Sequence, residues 1–120
     1  MQADSVISQV SRSPAYVTAS QLARVTGSIS NIVDLDVVSD SDGLLNIPGQ
    51  YTSKAQFFDS AANARGYVEV YATSVDRANR AAFLDASTET DYALGTVLVR
   101  LMSTNPPAGY QTAVANIVLP

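Results

Sequence analysis

The run YTSKAQFFDSAANARGYVEVYATSVD, residues 51–76, alternates side-chain character twice around a polar bend. Period-two alternation is the pattern of a half-buried strand, because successive side chains leave a strand on opposite faces. In the first strand Tyr51, Ser53, Ala55 and Phe57 share one face, with Thr52, Lys54, Gln56 and Phe58 opposite. In the second, Val68, Val70 and Ala72 share one face, with Tyr67, Glu69, Tyr71 and Thr73 opposite. The bend DSAANAR is long for a tight hairpin turn, so it reads as a connection within a sandwich or a wide surface loop.

The rest of the chain is punctuated in the same style. SISNIVDLDVVSD sets Ile29, Val33, Leu35 and Val37 on one face and Ser30, Asp34 and Asp36 on the other, a further half-buried strand. SDSDG and the Pro48-Gly49 pair read as turns. AYVTASQLARV, residues 15–25, has a β-branched start that favours a strand and a middle that would suit a helix; we take it as extended. Ser13-Pro14 closes a Ser-rich segment, residues 1–13, read as an extended arm that grips through Val6, Ile7 and Val10.

SVDRANRAAFLDASTETDYALG carries a thin apolar stripe, with Ser74 as a cap, Thr88 and Asp91 at capping-box spacing, and Gly95 at a helix-end position. It predicts one or two short helical turns in a long loop. TVLVRLMS returns to a strand with Val97, Val99 and Leu101 on one face, and QTAVANIVL reads as a terminal strand. Seven or eight short strands with little helix predict an all-β, single-domain sandwich or jelly roll over residues 14–120. At 120 residues the chain is one domain by size, with an expected radius of gyration of roughly 13–14 Å.

The chemistry is sparse. Cysteine and histidine are absent, which excludes thiol catalysis, disulfides, a Ser-His-Asp triad and His-ligated metal. Asp34, Asp36, Asp40 and Asp42 could pair for acid–base work, but carboxylates two apart on one strand face are better explained as solvated. An EF-hand loop built on Asp40 and Asp42 would place Val38 and Gly49 at ligand positions, so a simple acidic turn is the better reading. The glycines are well separated and form no phosphate cradle. No enzyme activity, cofactor or metal is expected. Glu69 reads as the solvent side of its strand, and Tyr67 and Tyr71, on the same face, as rim packing or a flat contact surface.

Charge is the other constraint. Charged residues make up 15% of the chain, against about 25% in a typical soluble domain. Lys54 is the only lysine. Lysine and glutamate are the types depleted from association interfaces, so a surface poor in them suits packing against other protein. The net charge of −4 and scattered basic residues argue against nucleic acid. No signal peptide or membrane span is visible in the sequence.

The segment YTSKAQFFDSAANARGYVEVYATSVDRANRAAFLDASTETDYALGTVLV resembles a loose group of small tailed-bacteriophage virion proteins. They share its strand ending in Asp, polar bend, YVEVYAT-type strand, Ser/Asp-rich loop and LGTVLV-type strand. The resemblance implies a β-sandwich or jelly roll with a structural role: a capsid decoration or cement protein, or alternatively a tail, fibre or host-recognition domain. It further implies a homo-oligomer, dimer or trimer, made in the host cytoplasm, located in the virion and partnered by the major capsid protein. LLNIPGQYTSKAQF is also similar to the Pro-Gly-Tyr strand start of trimeric C1q/TNF-like jelly rolls.

Overall fold

The structure, a computed structural model, describes residues 12–120; Val6, Ile7 and Val10 lie outside the described residues. One antiparallel sheet dominates, formed by β1 (Ile29–Asp34), β2 (Tyr51–Asp59), β3 (Ala64–Tyr71), β4 (Thr90–Leu94) and β5 (Val97–Leu101). Its spatial order is β1-β2-β3-β5-β4. Three helices accompany it: α1 (Pro14–Thr26), α2 (Ser74–Ala81) and α3 (Tyr110–Ala115). The expected strand-rich domain is present, with a radius of gyration of 13.8 Å. Among the described residues it holds five strands in one sheet, where the sequence predicts seven or eight in a sandwich.

The difference arises at two segments that read as extended and fold as helices. In α1, Ala15, Thr18, Ala19 and Leu22 are buried, at i, i+3, i+4 and i+7. Their spacing makes one helical stripe against the sheet. Ser13, assigned by sequence to the arm, is the N-cap: its hydroxyl accepts from the Tyr16 N–H, and Pro14 occupies the first turn. Gly27, at φ +70°, ends the helix in the left-handed region and donates to the Ala23 carbonyl. The C-terminal QTAVANIVL forms α3 and a short tail, with Tyr110, Ala113, Val114 and Ile117 buried at the same spacing.

β4 replaces the helical turn expected at Thr88–Asp91. Gly95 opens a two-residue loop to β5 and does not end a helix. The bend after Asp59 is a hairpin loop within the same sheet, since Asp59 pairs with Ala64 and its carboxylate accepts from the Ala61 and Ala62 N–H groups. β1 is shorter than expected and carries a bulge between Ser30 and Val33, with Asn31 at φ +56°. That extra residue breaks the alternation and leaves Val33 exposed, while Val37 lies beyond the end of β1 in an exposed turn.

The two sheet faces differ sharply. One packs Ala55, Phe57, Val68, Val70, Val97, Val99 and Leu101 against α1 and α3 as the apolar core. Asp59 extends that contact, fully buried and hydrogen-bonded to the Tyr110 hydroxyl. The other face lies beneath α2 and the 36–50 loop. It holds a smaller apolar cluster of Leu45, Tyr51, Tyr71 and Leu98. A bulge between Tyr51 and Ser53 turns Tyr51 onto this face.

Gly66 pairs with Phe57 across β2 and β3, and a Cβ there would overlap the Phe57 ring. Gly66→Ala should therefore destabilise by about 1–3 kcal/mol through overpacking. Leu22→Ala should cost about 2–5 kcal/mol by leaving a cavity under α1. Urea unfolding of both variants checks the two figures.

Candidate functional site

The second sheet face gathers the chain's only lysine, both its glutamates and two of its arginines. Strand register does the gathering: Lys54 lies opposite Glu69 across β2 and β3, and Tyr67 opposite Arg100 across β3 and β5. Arg100 in turn lies opposite Asp91 across β4. The 36–50 loop lowers Asp40 and Asp42 onto this face, and α2 contributes Arg80.

Lys54 is the centre. Its ammonium lies 2.7 Å from Asp42 Oδ2, 3.0 Å from Glu69 Oε2 and 3.4 Å from Asp40 Oδ1. It also donates to the Tyr51 hydroxyl at 3.3 Å, and the rings of Tyr51 and Tyr67 flank it at 4.6 and 4.7 Å. Lys54 is 1% exposed and Glu69 fully buried. Glu69 therefore does not face solvent as its strand position suggested; its partners on neighbouring strands and the covering loop keep it inside.

Arg100 locks the other half. Its Nε and Nη2 donate to the two Glu89 oxygens, each at 2.9 Å, the fork-on-fork geometry that suits guanidinium and carboxylate. Its Nη1 reaches Glu69 Oε2 at 2.9 Å and Asp42 Oδ2 at 3.0 Å. Arg80 donates to Asp42 at 3.2 Å. Asp40 accepts from the Tyr51 hydroxyl at 2.7 Å and from the Leu44 and Leu45 N–H groups. The acidic turn thus folds inward as a clamp. The Tyr71 hydroxyl donates to Glu69 at 2.6 Å.

Burial pushes the Asp42 carboxyl up, but Lys54 and then Arg100 outweigh it and hold it at about 2. Asp40 and Glu89 are likewise held below the ordinary range against burial, by Tyr51 and Lys54 in the first case and chiefly by Arg100 in the second. Burial and neighbouring carboxylates push the Tyr51 and Tyr71 hydroxyls up, so both remain donors. Asp91 is the exception. Its Oδ1 is buried without a hydrogen-bond partner, and burial together with Glu89 raises the carboxyl to about 7.

Of the residues singled out by sequence, Tyr71 is 2% exposed and half-buried Tyr67 covers Lys54 and Arg100. Tyr71 therefore offers no outward contact surface, while Tyr67 serves as a lid on two cations. Asp34 and Asp36 are exposed; Asp34 accepts from Ser13 and Asp36 from the Val38 and Ser39 N–H groups. They do not meet Asp40 and Asp42 across a cleft. Sequence reasoning missed Glu89, Arg80 and Arg100. The available signal was a lone lysine and two lone glutamates in a charge-poor chain, the lysine and one glutamate on strands beside tyrosines.

The arrangement is a closed set of ion pairs. Its lysine is held by three carboxylates and shut from solvent. Two of the residues brought to this face line surface cavities: Asp91, one of about 420 Å³, and Arg80, one of about 220 Å³. Among the described residues no cluster of His, Cys, Asp and Glu could hold a metal ion. Among the described residues no helix is long and apolar enough to cross a membrane. Neither a family model, a curated protein nor a solved structure matches the chain.

Removing one member of a buried ion set strands the others, which costs about 3–5 kcal/mol. Lys54→Met should therefore destabilise by that amount, measured by chemical denaturation. The pH profile carries a second signature. Asp91 binds a proton more tightly folded than unfolded, so its contribution is full in acid and is lost as pH rises towards about 7. Asp42, Asp40 and Glu89 act oppositely: their contribution is present above the unfolded carboxylate range and lost as pH falls through their lowered values. Stability should peak at about pH 4–6, and Asp91→Asn should flatten the decline on the neutral side, read as melting temperature against pH.

Proposed function

We propose that this chain is a structural subunit that works by protein–protein contact, of the capsid-decorating or cement kind implied by its phage-like segment. The observation that carries the reading is where the charges sit. The only lysine and both glutamates of the chain, Lys54, Glu69 and Glu89, are buried in one network. What remains outside is poor in the long charged side chains that keep monomers apart.

Apolar residues stand in that surface: Val37, Val38, Ile47 and Phe83 are exposed at 65%, 94%, 49% and 85%. Single exposed apolar residues are ordinary, but these come from the covering loop and the segment just after α2, two elements that the network pins to the sheet. The pinned face gives a rigid surface for a partner. The proposed partner is the major capsid protein, together with further copies of the chain. Individually modest contacts, made several at a time, would give firm attachment.

Particles that carry the chain should show it on the head by gold labelling in negative stain, and particles depleted of it should lose their genome on milder heating. Depleted particles as heat-stable as complete ones would remove the cement reading. Label confined to the tail would move the chain to a tail or fibre role.

A further inference from the structure

β4 is one edge of the sheet, and its outer side is open. Its two-residue loop to β5 makes Leu94–Val97, and every second pair from there, the mutually hydrogen-bonded ones. Asp91 and Ala93 therefore aim their N–H and C=O groups away from the sheet. Neither residue's backbone has a partner among the described residues. The cavity of about 420 Å³ lies along this edge, because four consecutive residues, 91–94, line it with Gln111 and Val114 of α3. Neighbouring strand residues face opposite sides, so a cavity on one face alone would not meet all four. The site is a groove between an unpaired strand edge and a helix, which is the shape that accepts an added strand.

We propose that this groove receives residues 1–11 of a neighbouring copy, added to β4 as a further strand. Three observations select that occupant. First, the segment VISQV within residues 1–11 is rich in β-branched residues, and the whole segment has no Pro or Gly. Second, the chain emerges from it at the far side of the sheet: Ser13 is hydrogen-bonded to Asp34 on β1, the opposite edge. Its own β4 lies four strand spacings away, about 19 Å, with α1 and α3 packed over the face between. Third, the nearer edge is a poor template, because β1 is bulged between Ser30 and Val33 and Asn31 is left-handed.

With VISQV paired to a strand edge, only Ser11 and Arg12 bridge to Ser13, a reach of about 10 Å; that falls short of the chain's own β4 and suffices for a neighbour whose β4 edge lies beside this β1 edge. Such a contact uses different surfaces on the two copies and so propagates as a ring or a filament. The proposal rests on the assembly reading only in taking another copy as the source of the strand.

The test is amide hydrogen exchange on the full chain, read at Asp91 and Ala93, alongside sedimentation. At a total concentration about a hundredfold above the dissociation constant, about a tenth of the grooves stay free, so these two amides should exchange about tenfold more slowly than in dilute solution. The double variant Val6→Asp, Val10→Asp, altered only outside the described fold, should return them to fast exchange and the chain to monomer. A synthetic peptide of residues 1–11 in excess should dissociate the wild-type oligomer while keeping the two amides protected. Fast exchange at both amides in an oligomer overturns the groove and leaves the assembly reading standing. Protection in a monomer overturns exchange between copies, and a chain that neither oligomerises nor binds particles removes the assembly reading itself.

Discussion

The ion set around Lys54 decides how this molecule is built. The sheet's apolar face has helices to cover it, as any antiparallel sheet can. Its other face would be wet, were it not for one cation held by Asp40 and Asp42 of the 36–50 loop and Glu69 of β3. That cation draws the 36–50 loop inward, and Arg80 and Arg100 add α2 and β5 to the same carboxylates. Burying charges in this way is not a cheap source of stability, because each loses its hydration. What it fixes here is the place of the loop, since Asp40 and Asp42 reach Lys54 with the 36–50 loop folded onto this face.

The consequence reaches the surface. Charges withdrawn to an interior set cannot decorate the outside, so a chain already poor in charge presents still fewer. The same set holds in place the loop and helix beside which four of the exposed apolar side chains, Val37, Val38, Ile47 and Phe83, stand. The proposed role as an assembling subunit rests on that combination of a pinned face and a surface short of charge.

Much of this was legible in the sequence, and the failures have a common cause. The alternation in β2 from Ser53 onward and in β3, and Val97, Val99 and Leu101 of β5, depend on local pattern and match the structure; Tyr51 departs from it because a bulge turns it to the other face. The short helix expected in SVDRANRA is α2; α1 and α3 were missed because their buried stripes include small or β-branched residues, such as Ala15, Thr18, Ala19 and Val114, whose helical spacing is faint beside their strand propensity. The caps were the stronger signal, since Ser13-Pro14 and Gly27 bracket α1 in the manner of a helix. The ion set was hidden for a different reason. Lys54 and Glu69 occupy the strand face that alternation assigns to solvent, and only the covering loop, placed by tertiary contacts, makes that face an interior. Glu89 joins through its fork on Arg100, a distant pairing that no local pattern announces.

Since Lys54 is the chain's single lysine, its chemical reactivity reports directly on that interior. Amine acylation of the native protein, mapped by peptide mass spectrometry, should leave Lys54 unmodified while a free α-amino group reacts, and labelling should appear only on unfolding. Native Lys54 that labels as fast as a solvent-exposed lysine would contradict the closed network and the account built on it.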